Sequence, residues 1–378
     1  MMQHRLPAYL IIIFMMFGCK KTNSQLSNTS NPIVLGGDLS YVNEVEDAGA
    51  KYQRNNSSVD PYGLFAEKGC NLVRLRLWHT PSINRYSGLE DVKKSIRRAK
   101  SANMRVLLDF HYSDIWADPG RQDIPKAWST ITDQNILGDS LYGYTLNTLM
   151  SLNKEGLLPE MVQVGNEINS EILQPQGKAK PAIDWKRNAF LLNKGIAAVR
   201  EASSKSGKKI EVMLHIAQPE NAIKWFADAS ANGIEPYDWI GISYYPLWST
   251  VKIKDLPYFI NNLVTTHKKQ LMVVETAYPH TLANADPANN ILDDKALVPG
   301  YPATPAGQKQ YMIDLVKLVI QGGGAGLVYW EPAWISSSAR TPWGQGSHWD
   351  NATFFDAANK NEALPVFDFF NQSNYSKK

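Results

Sequence analysis

The stretch MVQVGNEINSE, residues 161–171, decides the fold. It opens on a run that is apolar apart from Gln163 and then stops at Gly165, Asn166 and Glu167. Continuous apolar character, rather than strict alternation, is typical of a strand buried on both faces of a parallel sheet. An amide beside a carboxylic acid gains nothing by packing at the end of such a strand. The pair is either an ordinary exit into a loop or the position of an acid with a chemical task.

Further runs of the same kind follow along the chain, and segments with helical spacing separate them. Together with 161–167, strands are expected at 33–40, 71–79, 104–112, 210–216, 239–245, 271–277 and 326–332. Helices are expected at 87–101, 139–156, 185–205, 219–231, 253–268 and 306–321. Eight strand–helix alternations predict an α/β chain that forms a (β/α)8 TIM barrel as a single domain over residues 33–378. An open doubly wound sheet is the alternative, and no Gly-x-Gly-x-x-Gly follows the first strand to support its dinucleotide-binding form.

The N-terminal segment is expected to be a targeting signal. The apolar run LIIIFMMFGC (10–19) is too short for a comfortable membrane span and is typical of a signal peptide. Gly18 directly before Cys19 resembles the lipobox of bacterial lipoproteins, in which the cysteine carries lipid. Residues 1–19 are then a lipoprotein signal peptide and residues 20–32 a polar linker. The protein would be exported and lipid-anchored to the outer membrane, with its orientation left open; a plain secretory signal with an incidental Cys19 is the alternative.

The amino-acid composition indicates which classes of ligand the protein could bind. The net charge is only +3, and no basic block interleaves with aromatic residues, so nucleic acid is a poor partner. Eleven Trp and seventeen Tyr suit flat ligands that carry hydroxyl groups, such as sugars, although large cores also use aromatic residues. Besides Cys19 the chain has one cysteine, Cys70, which is expected to be a small buried side chain without a disulfide. A monomer is expected.

Polar and aromatic residues recur at the ends of the eight expected strands. They are Asp38, Arg74, Arg76, Asp109, His111, Asn166, Glu167, His215, Ser243, Tyr244, Tyr245, Glu275, Trp330 and Glu331. The strands of such a barrel all end at one rim, which is where active sites lie in this fold. Long polar loops at 113–130, 278–305 and 333–352 follow strands on the same rim. A polar cleft with aromatic walls is therefore expected there.

Two of these residues, Glu167 and Glu275, end the fourth and seventh strands, on opposite sides of the barrel. Retaining glycosidases use two carboxyl groups about 5 Å apart: one donates a proton to the leaving oxygen and the other attacks the anomeric carbon. Arg76 is the expected cation that keeps the nucleophile ionised. A lone glutamate at a strand end is more often a solvated charge or half of an ion pair, but a pair on these strands favours catalysis. The chain lacks the His-Glu-x-x-His and Gly-x-Ser-x-Gly motifs of metal and serine hydrolases.

Several motifs together resemble glycoside hydrolase family 53, the endo-β-1,4-galactanases. They are LVRLRLWHTP, LLDFHYSDIWADPGRQDIPKAW, VQVGNEINSEIL, WIGISYYPLW, VVETAYPHT and YWEPAWI. The resemblance covers about residues 33–370 and implies a retaining, endo-acting hydrolase of galactan, the type I arabinogalactan side chains of pectin, that needs no cofactor for its chemistry. The same mechanism on mannan or β-glucan is one alternative. A non-catalytic glycan-binding lipoprotein is another, and the presence of both acids argues against it.

The resemblance also implies residue roles. Glu167 would be the general acid/base, Glu275 the nucleophile, and Asn166 the partner of the sugar 2-hydroxyl. The other substrate contacts are expected at Asp38, Arg76, His111, Asp118, Trp330, Trp349 and one of Tyr244 and Tyr245, whose alternation leaves open which one orients the nucleophile.

Three details stay open at this point. Trp78, Trp116, Trp334 and Trp349 lie on rim loops and either stack on sugars or pack within the loops, whereas Trp185, Trp225 and Trp239 are expected in the core. Asp114 and Asp118 either accept sugar hydroxyls or cap turns. Family members often hold a structural calcium ion, and the oxygen ligands available here are Asn284, Asp286, Asn290, Ser347 and Asp350, fewer of them carboxylates than the family pattern.

Overall fold

The computed structural model describes residues 32–81, 83–176 and 182–376. From Ile33 onward the described residues form one compact unit. The predicted signal peptide, with Cys19, lies outside the described residues. Among the helices in the described part of the chain, none has both the length and the apolar character needed to cross a membrane.

Eight parallel strands close into a barrel, as the sequence predicts. They are β1 (Val34–Asp38), β2 (Leu72–Leu77), β3 (Arg105–Phe110), β4 (Met161–Val164), β5 (Glu211–Ala217), β6 (Trp239–Ser243), β7 (Gln270–Glu275) and β8 (Gly326–Tyr329). Each strand pairs with the next along the chain, and β1 closes the ring by pairing with both β2 and β8. All residues of β2 and of β4 are buried, so both faces of these strands are covered, and their residues are apolar apart from Arg74, Arg76 and Gln163.

Helices surround the barrel. They are α1 (Val42–Asp47), α2 (Pro61–Glu67), α3 (Leu89–Ser101), α4 (Gln134–Lys154), α5 (Trp185–Ser206), α6 (Pro219–Ala231), α7 (Leu256–His267) and α8 (Pro305–Gln321). The six predicted helices are all present. Helix α4 begins five residues earlier than predicted, where the Asp133 side chain accepts hydrogen bonds from two backbone amides of the first turn.

The segment between β1 and β2 holds two helices that the periodicity did not predict, α1 and α2. Both are short, with six and seven residues, so neither spans enough turns to show a helical repeat. A local signal did exist for α2, because Asp60 accepts a hydrogen bond from Gly63 N and Pro61 occupies the first helical position. A short hairpin, Tyr52–Arg54 with Ser57–Val59, lies between these helices.

Two separate apolar clusters form the core. The larger one joins strands to helices and contains Cys70, which is buried and free as expected. The smaller one takes residues from all eight strands, as expected of a layer that fills a barrel interior: Val34, Leu72, Leu107, Met161, Met213, Trp239, Met272, Val274 and Val328. The barrel is therefore a packed core below its rim, and any cleft must lie above this layer.

Candidate active site

On the inner face of the barrel, the strand side chains change from apolar to polar towards the carboxyl ends of the strands. Side chains at positions i and i+2 share a face. In β2 the apolar Leu72 is followed on that face by Arg74, and in β3 Leu107 is followed by Asp109. By the same alternation Asp38, Gln163, His215 and Ser243 follow the apolar layer in β1, β4, β5 and β6. A buried polar layer thus lies directly on the apolar one, at the carboxyl ends of the strands.

Arg74 is the centre of this layer. Its side chain is 1% exposed. Nη1 contacts Asp38 Oδ2 at 2.9 Å and Glu275 Oε1 at 2.8 Å. Nη2 contacts Asp109 Oδ2 at 2.7 Å and donates to Asn166 Oδ1 at 2.6 Å. One guanidinium therefore joins four strands and holds both the predicted nucleophile and the amide that precedes the predicted acid.

The prediction that Arg76 keeps the nucleophile ionised was wrong, because Arg74 is the arginine that contacts it. Arg76 lies one repeat further along β2, where its Nη1 pairs with Glu331 Oε1 at 2.7 Å and its Nε donates to Ser87 Oγ at 2.8 Å. Its guanidinium also lies 4.2 Å from the ring centre of Tyr41. Arg76 still lines the cleft, as predicted for a substrate contact, but its charge is directed to Glu331.

The predicted acid, Glu167, is held by a hydroxyl group. Ser243 Oγ donates to Glu167 Oε1 at 2.6 Å, and His215 Nε2 lies 2.9 Å behind Ser243 Oγ. The backbone of Glu167 is left-handed, with φ 43°, directly beyond the end of β4. This conformation costs about 1–2 kcal/mol for a residue with a Cβ atom. Strain of this kind is characteristic of functional residues that the surrounding structure holds in place.

The predicted nucleophile, Glu275, is 7% exposed and is contacted by Tyr245. Tyr245 Oη donates to Glu275 Oε2 at 3.4 Å, whereas Tyr244 Oη donates to the backbone oxygen of Val251 at 3.0 Å. Tyr245 is therefore the tyrosine that faces the nucleophile. Tyr244, also predicted as a substrate contact, is fully buried away from the cleft, because neighbouring residues point to opposite faces.

Glu167 and Glu275 have different electrostatic surroundings. Burial raises the pKa of Glu167 to about 7, and the hydrogen bond from Ser243 opposes this shift. Burial, the largest effect, also raises the pKa of Glu275 well above its ordinary value; the guanidinium of Arg74 opposes this rise, and the charge of Glu167 adds to it. Glu275 thus has a cation in direct contact, whereas the direct partner of Glu167 is a neutral hydroxyl. Arg74 is therefore the contact that favours the ionised form of Glu275.

His215, the residue behind Ser243, is neutral. Burial, together with the charges of Arg74 and His111, lowers the pKa of His215 well below its ordinary value. The imidazole behind Ser243 is therefore uncharged at neutral pH and does not draw the proton from Glu167. His111 is also anchored, because its Nε2 lies 3.0 Å from Asp109 Oδ2 and its Nδ1 accepts from the backbone amide of Ala117 at 2.9 Å.

Both acids open into one cleft with a cavity of about 670 Å³. The predicted contacts that line it are Asp38, Arg76, His111, Asp118, Asn166, Tyr245, Trp330 and Trp349. Asp118 also caps a turn, since its Oδ1 accepts from Gly120 N at 2.6 Å. Asp114 caps backbone amides instead, those of Thr80 and Lys126.

The rim tryptophans divide between the two expected roles. Trp116 lines the cleft, whereas Trp334 is 1% exposed and stacks on Tyr41 with ring centres 4.0 Å apart. Two cleft tryptophans were not predicted, Trp248 and Trp343, with 50% and 53% of their surface exposed. Trp248 is the last residue of the motif WIGISYYPLW. Its position just after a strand end could have predicted that it lines the cleft.

The five residues predicted to bind calcium do lie together, where the loops after β7 and β8 meet. Asn290 bonds to both Asn284 and Asp350, and Ser347 N donates separately to Asp286 Oδ2. Both carboxylates accept hydrogen bonds: Asp286 from Ser336 Oγ and Ser347 N, and Asp350 from Ala285 N and Asn290 Nδ2. Calcium would have to share these oxygens with their donors, so the donor set fits a metal poorly. Among the described residues no group of three or more His, Cys, Asp or Glu side chains could hold a metal ion.

The chain is similar to known proteins over most of its length. The family model for glycosyl hydrolase family 53 matches residues 34–370. An arabinogalactan endo-β-1,4-galactanase of Cellvibrio japonicus is 55% identical over 342 residues, which cover 90% of this chain and 91% of that protein. An endo-β-1,4-galactanase of Bacillus subtilis is 34% identical over 84% of this chain and 74% of its own length. The solved catalytic domain of an Ignisphaera aggregans family 53 protein has a TM-score of 0.81 and 31% identity, covering 90% of this chain and 96% of that one.

Proposed function

The chain belongs to glycosyl hydrolase family 53, and from that premise we propose that it hydrolyses internal β-1,4-galactosidic bonds of galactan and type I arabinogalactan. The observation that carries this proposal is the pair of acids in one cleft: Glu167 beside a hydroxyl group and Glu275 beside a guanidinium. The cleft walls add the aromatic surfaces that bind sugar rings. The choice of galactan rests on the relatives, which are named as galactanases.

In the first step Glu167 acts as the acid. The Glu275 carboxylate attacks the anomeric carbon, the glycosidic C–O bond breaks, and the leaving sugar oxygen takes the proton of Glu167. The product is a galactosyl ester of Glu275, and the leaving galactan chain departs neutral. Tyr245 and Arg74 position the carboxylate for this attack, one at each oxygen.

In the second step Glu167 acts as the base. Ester formation removes the charge of Glu275, so the repulsion between the two carboxyl groups disappears and the pKa of Glu167 falls. The Glu167 carboxylate then takes a proton from water, the resulting hydroxide attacks the anomeric carbon, and the ester bond breaks. Two inversions at this carbon retain the β configuration. Proton NMR of early products should therefore show the β anomer, and an initial α anomer would contradict the double displacement.

A panel of purified polysaccharides tests the substrate. We expect cleavage of β-1,4-galactan with a rapid loss of viscosity and oligosaccharide products, since an open cleft binds the middle of a chain. Faster cleavage of mannan or β-glucan than of galactan would favour the alternative substrates. The variants Glu167→Gln and Glu275→Gln should lose activity, whereas Glu201→Gln, on the outer face of α5, serves as the matched control.

We further propose that the protein is anchored to the outer membrane through a lipid on Cys19, on the strength of the lipobox-like sequence that ends there. Cys19→Ala should move the protein from the membrane fraction to the soluble fraction. Cys70→Ala is the matched control, because that cysteine is buried in the domain. Unchanged membrane association of Cys19→Ala would contradict the anchor.

The loop cluster fits calcium poorly, and calcium has no part in the proposed mechanism. Because the two carboxylates of the cluster already accept hydrogen bonds, we expect addition of calcium or of EGTA to leave the melting temperature unchanged within about 1 °C. A calcium-dependent rise of several degrees would show that the loops bind the ion after a rearrangement of these bonds.

A further inference from the structure

A second cavity of about 490 Å³ lies beside the catalytic cleft. It is bounded by Pro119 of the loop after β3, by Asn169 and Ile183 after β4, and by one side of α6 from Glu220 to Asp228, with Trp185 at the start of α5. Pro119 and Asn221 line both the cleft and this cavity, so the two adjoin. Its volume falls within the roughly 300–1,000 Å³ of small-ligand sites.

The lining of this second cavity suits a sugar. Trp185, half-buried at the start of α5, contributes one ring, and Trp225 of α6 packs against it at 5.3 Å between ring centres. Trp225 is 4% exposed and belongs to the core, so Trp185 is the ring available to a ligand. Asn221 donates through Nδ2 to Ala217 O and offers its amide oxygen, a group of the kind that binds sugar hydroxyls, whereas Asn169 and Glu220 are held by hydrogen bonds within the protein.

The wall that carries these groups is firmly held. Glu220 Oε1 accepts from Thr250 N at 2.7 Å, and its Oε2 accepts from Ser249 Oγ at 2.9 Å. These bonds join the first turn of α6 to the loop after β6, which also carries the cleft residue Trp248. The loop that carries Trp248 is therefore tied to α6, and Trp185 packs against Trp225 of the same helix.

The position of the cavity decides which end of a galactan chain it would take. The acid donates its proton to the leaving oxygen, so the leaving sugars lie on its side of the cleavage point. Glu167 follows β4, and Asn169 of the second cavity is only two residues beyond it. We propose that the second cavity is an additional sugar-binding subsite for the leaving-group side of a β-1,4-galactan chain, with Trp185 as its stacking platform. This inference rests on the proposed function.

The variant Trp185→Ala tests the subsite on β-1,4-galacto-oligosaccharides of increasing length labelled at the reducing end. The label marks the leaving-group side, so the length of the labelled product counts the sugars bound there. We expect the gain in kcat/KM on lengthening the substrate to fall about three- to tenfold, the effect of losing one stacked ring, and the labelled products to become shorter. Trp185→Phe, which keeps a smaller ring, should lie between the wild type and Trp185→Ala.

Tyr258→Ala is the matched control, because it removes a 70% exposed aromatic side chain on α7 and leaves both cavities intact. It should keep the wild-type dependence on length. The same length dependence and the same labelled products in all four proteins would overturn the subsite. If Trp185→Ala does not fold, Trp185→Phe against the wild type decides by the same two measurements.

The proposed function is judged separately, by the wild type alone. If the wild type cleaves another β-linked polysaccharide instead of galactan, the proposed function fails and the length series is run on oligosaccharides of that polymer. The subsite is then tested by the same two measurements, the gain in kcat/KM on lengthening the substrate and the length of the labelled products.

Discussion

Replacing Ser243 by alanine is expected to move the alkaline limb of the pH profile to higher pH. The Ser243 hydroxyl donates to Glu167 over 2.6 Å, a bond that stabilises the ionised carboxylate and so lowers its pKa. Burial acts in the opposite direction and is the larger effect, which leaves the pKa of Glu167 at about 7. Glu167 must be protonated to act as the acid. Activity is therefore present below this pKa and is lost as the pH rises through it.

The size of the shift follows from the strength of the lost bond. A hydrogen bond to a charged group contributes roughly 1.5–3 kcal/mol, and one pKa unit corresponds to about 1.4 kcal/mol. The small space left by the hydroxyl lets water replace part of the bond, so we expect the lower end of this range. The alkaline limb of kcat/KM should move up by about one pH unit.

The assay is kcat/KM on β-1,4-galactan as a function of pH, for the wild type and for Ser243→Ala. Ser95→Ala is the matched control, because Ser95 is a buried, hydrogen-bonded serine on α3, away from the cleft. An alkaline limb that stays in place, or that moves to lower pH, would refute the reasoning. The limb would then belong to a group other than Glu167, or Ser243 would not stabilise its charge.

Three further outcomes are expected. Glu167→Gln should lower kcat/KM on galactan by about 10²–10⁴-fold and much less on an aryl galactoside whose leaving group needs no proton; equal losses on both would contradict its role as the acid. Tyr245→Phe should lower kcat, whereas Tyr244→Phe, which loses only a bond to a backbone oxygen, should not; equal effects would remove the distinction between them. Arg74→Met should cost about 3–5 kcal/mol of unfolding free energy, because three buried carboxylates lose their cation. Denaturant titrations measure this loss, with Arg200→Met, on α5, as the control; an unfolding free energy equal to that of the wild type would contradict the role of Arg74.

Much of the fold was predictable because burial leaves a direct trace in the sequence. A strand covered on both faces is mostly apolar, with only the polar residues that the interior pairs, so the runs at 71–79 and 161–167 marked β2 and β4 without any knowledge of their neighbours. The short helices α1 and α2 left no such trace, since one or two turns do not establish a repeat. They were found only in the structure.

The sequence by itself determined that Glu167 and Glu275 end the fourth and seventh strands, and closure of the barrel then brings them to one cleft. Only the tertiary structure decided which arginine meets Glu275. Arg74 and Arg76 share a strand and a face, so no pattern separates them; they differ by one repeat, about 6.6 Å along the strand. That distance places Arg74 level with the nucleophile and Arg76 level with Glu331. Which arginine meets which acid depends on how the eight strands are staggered around the barrel.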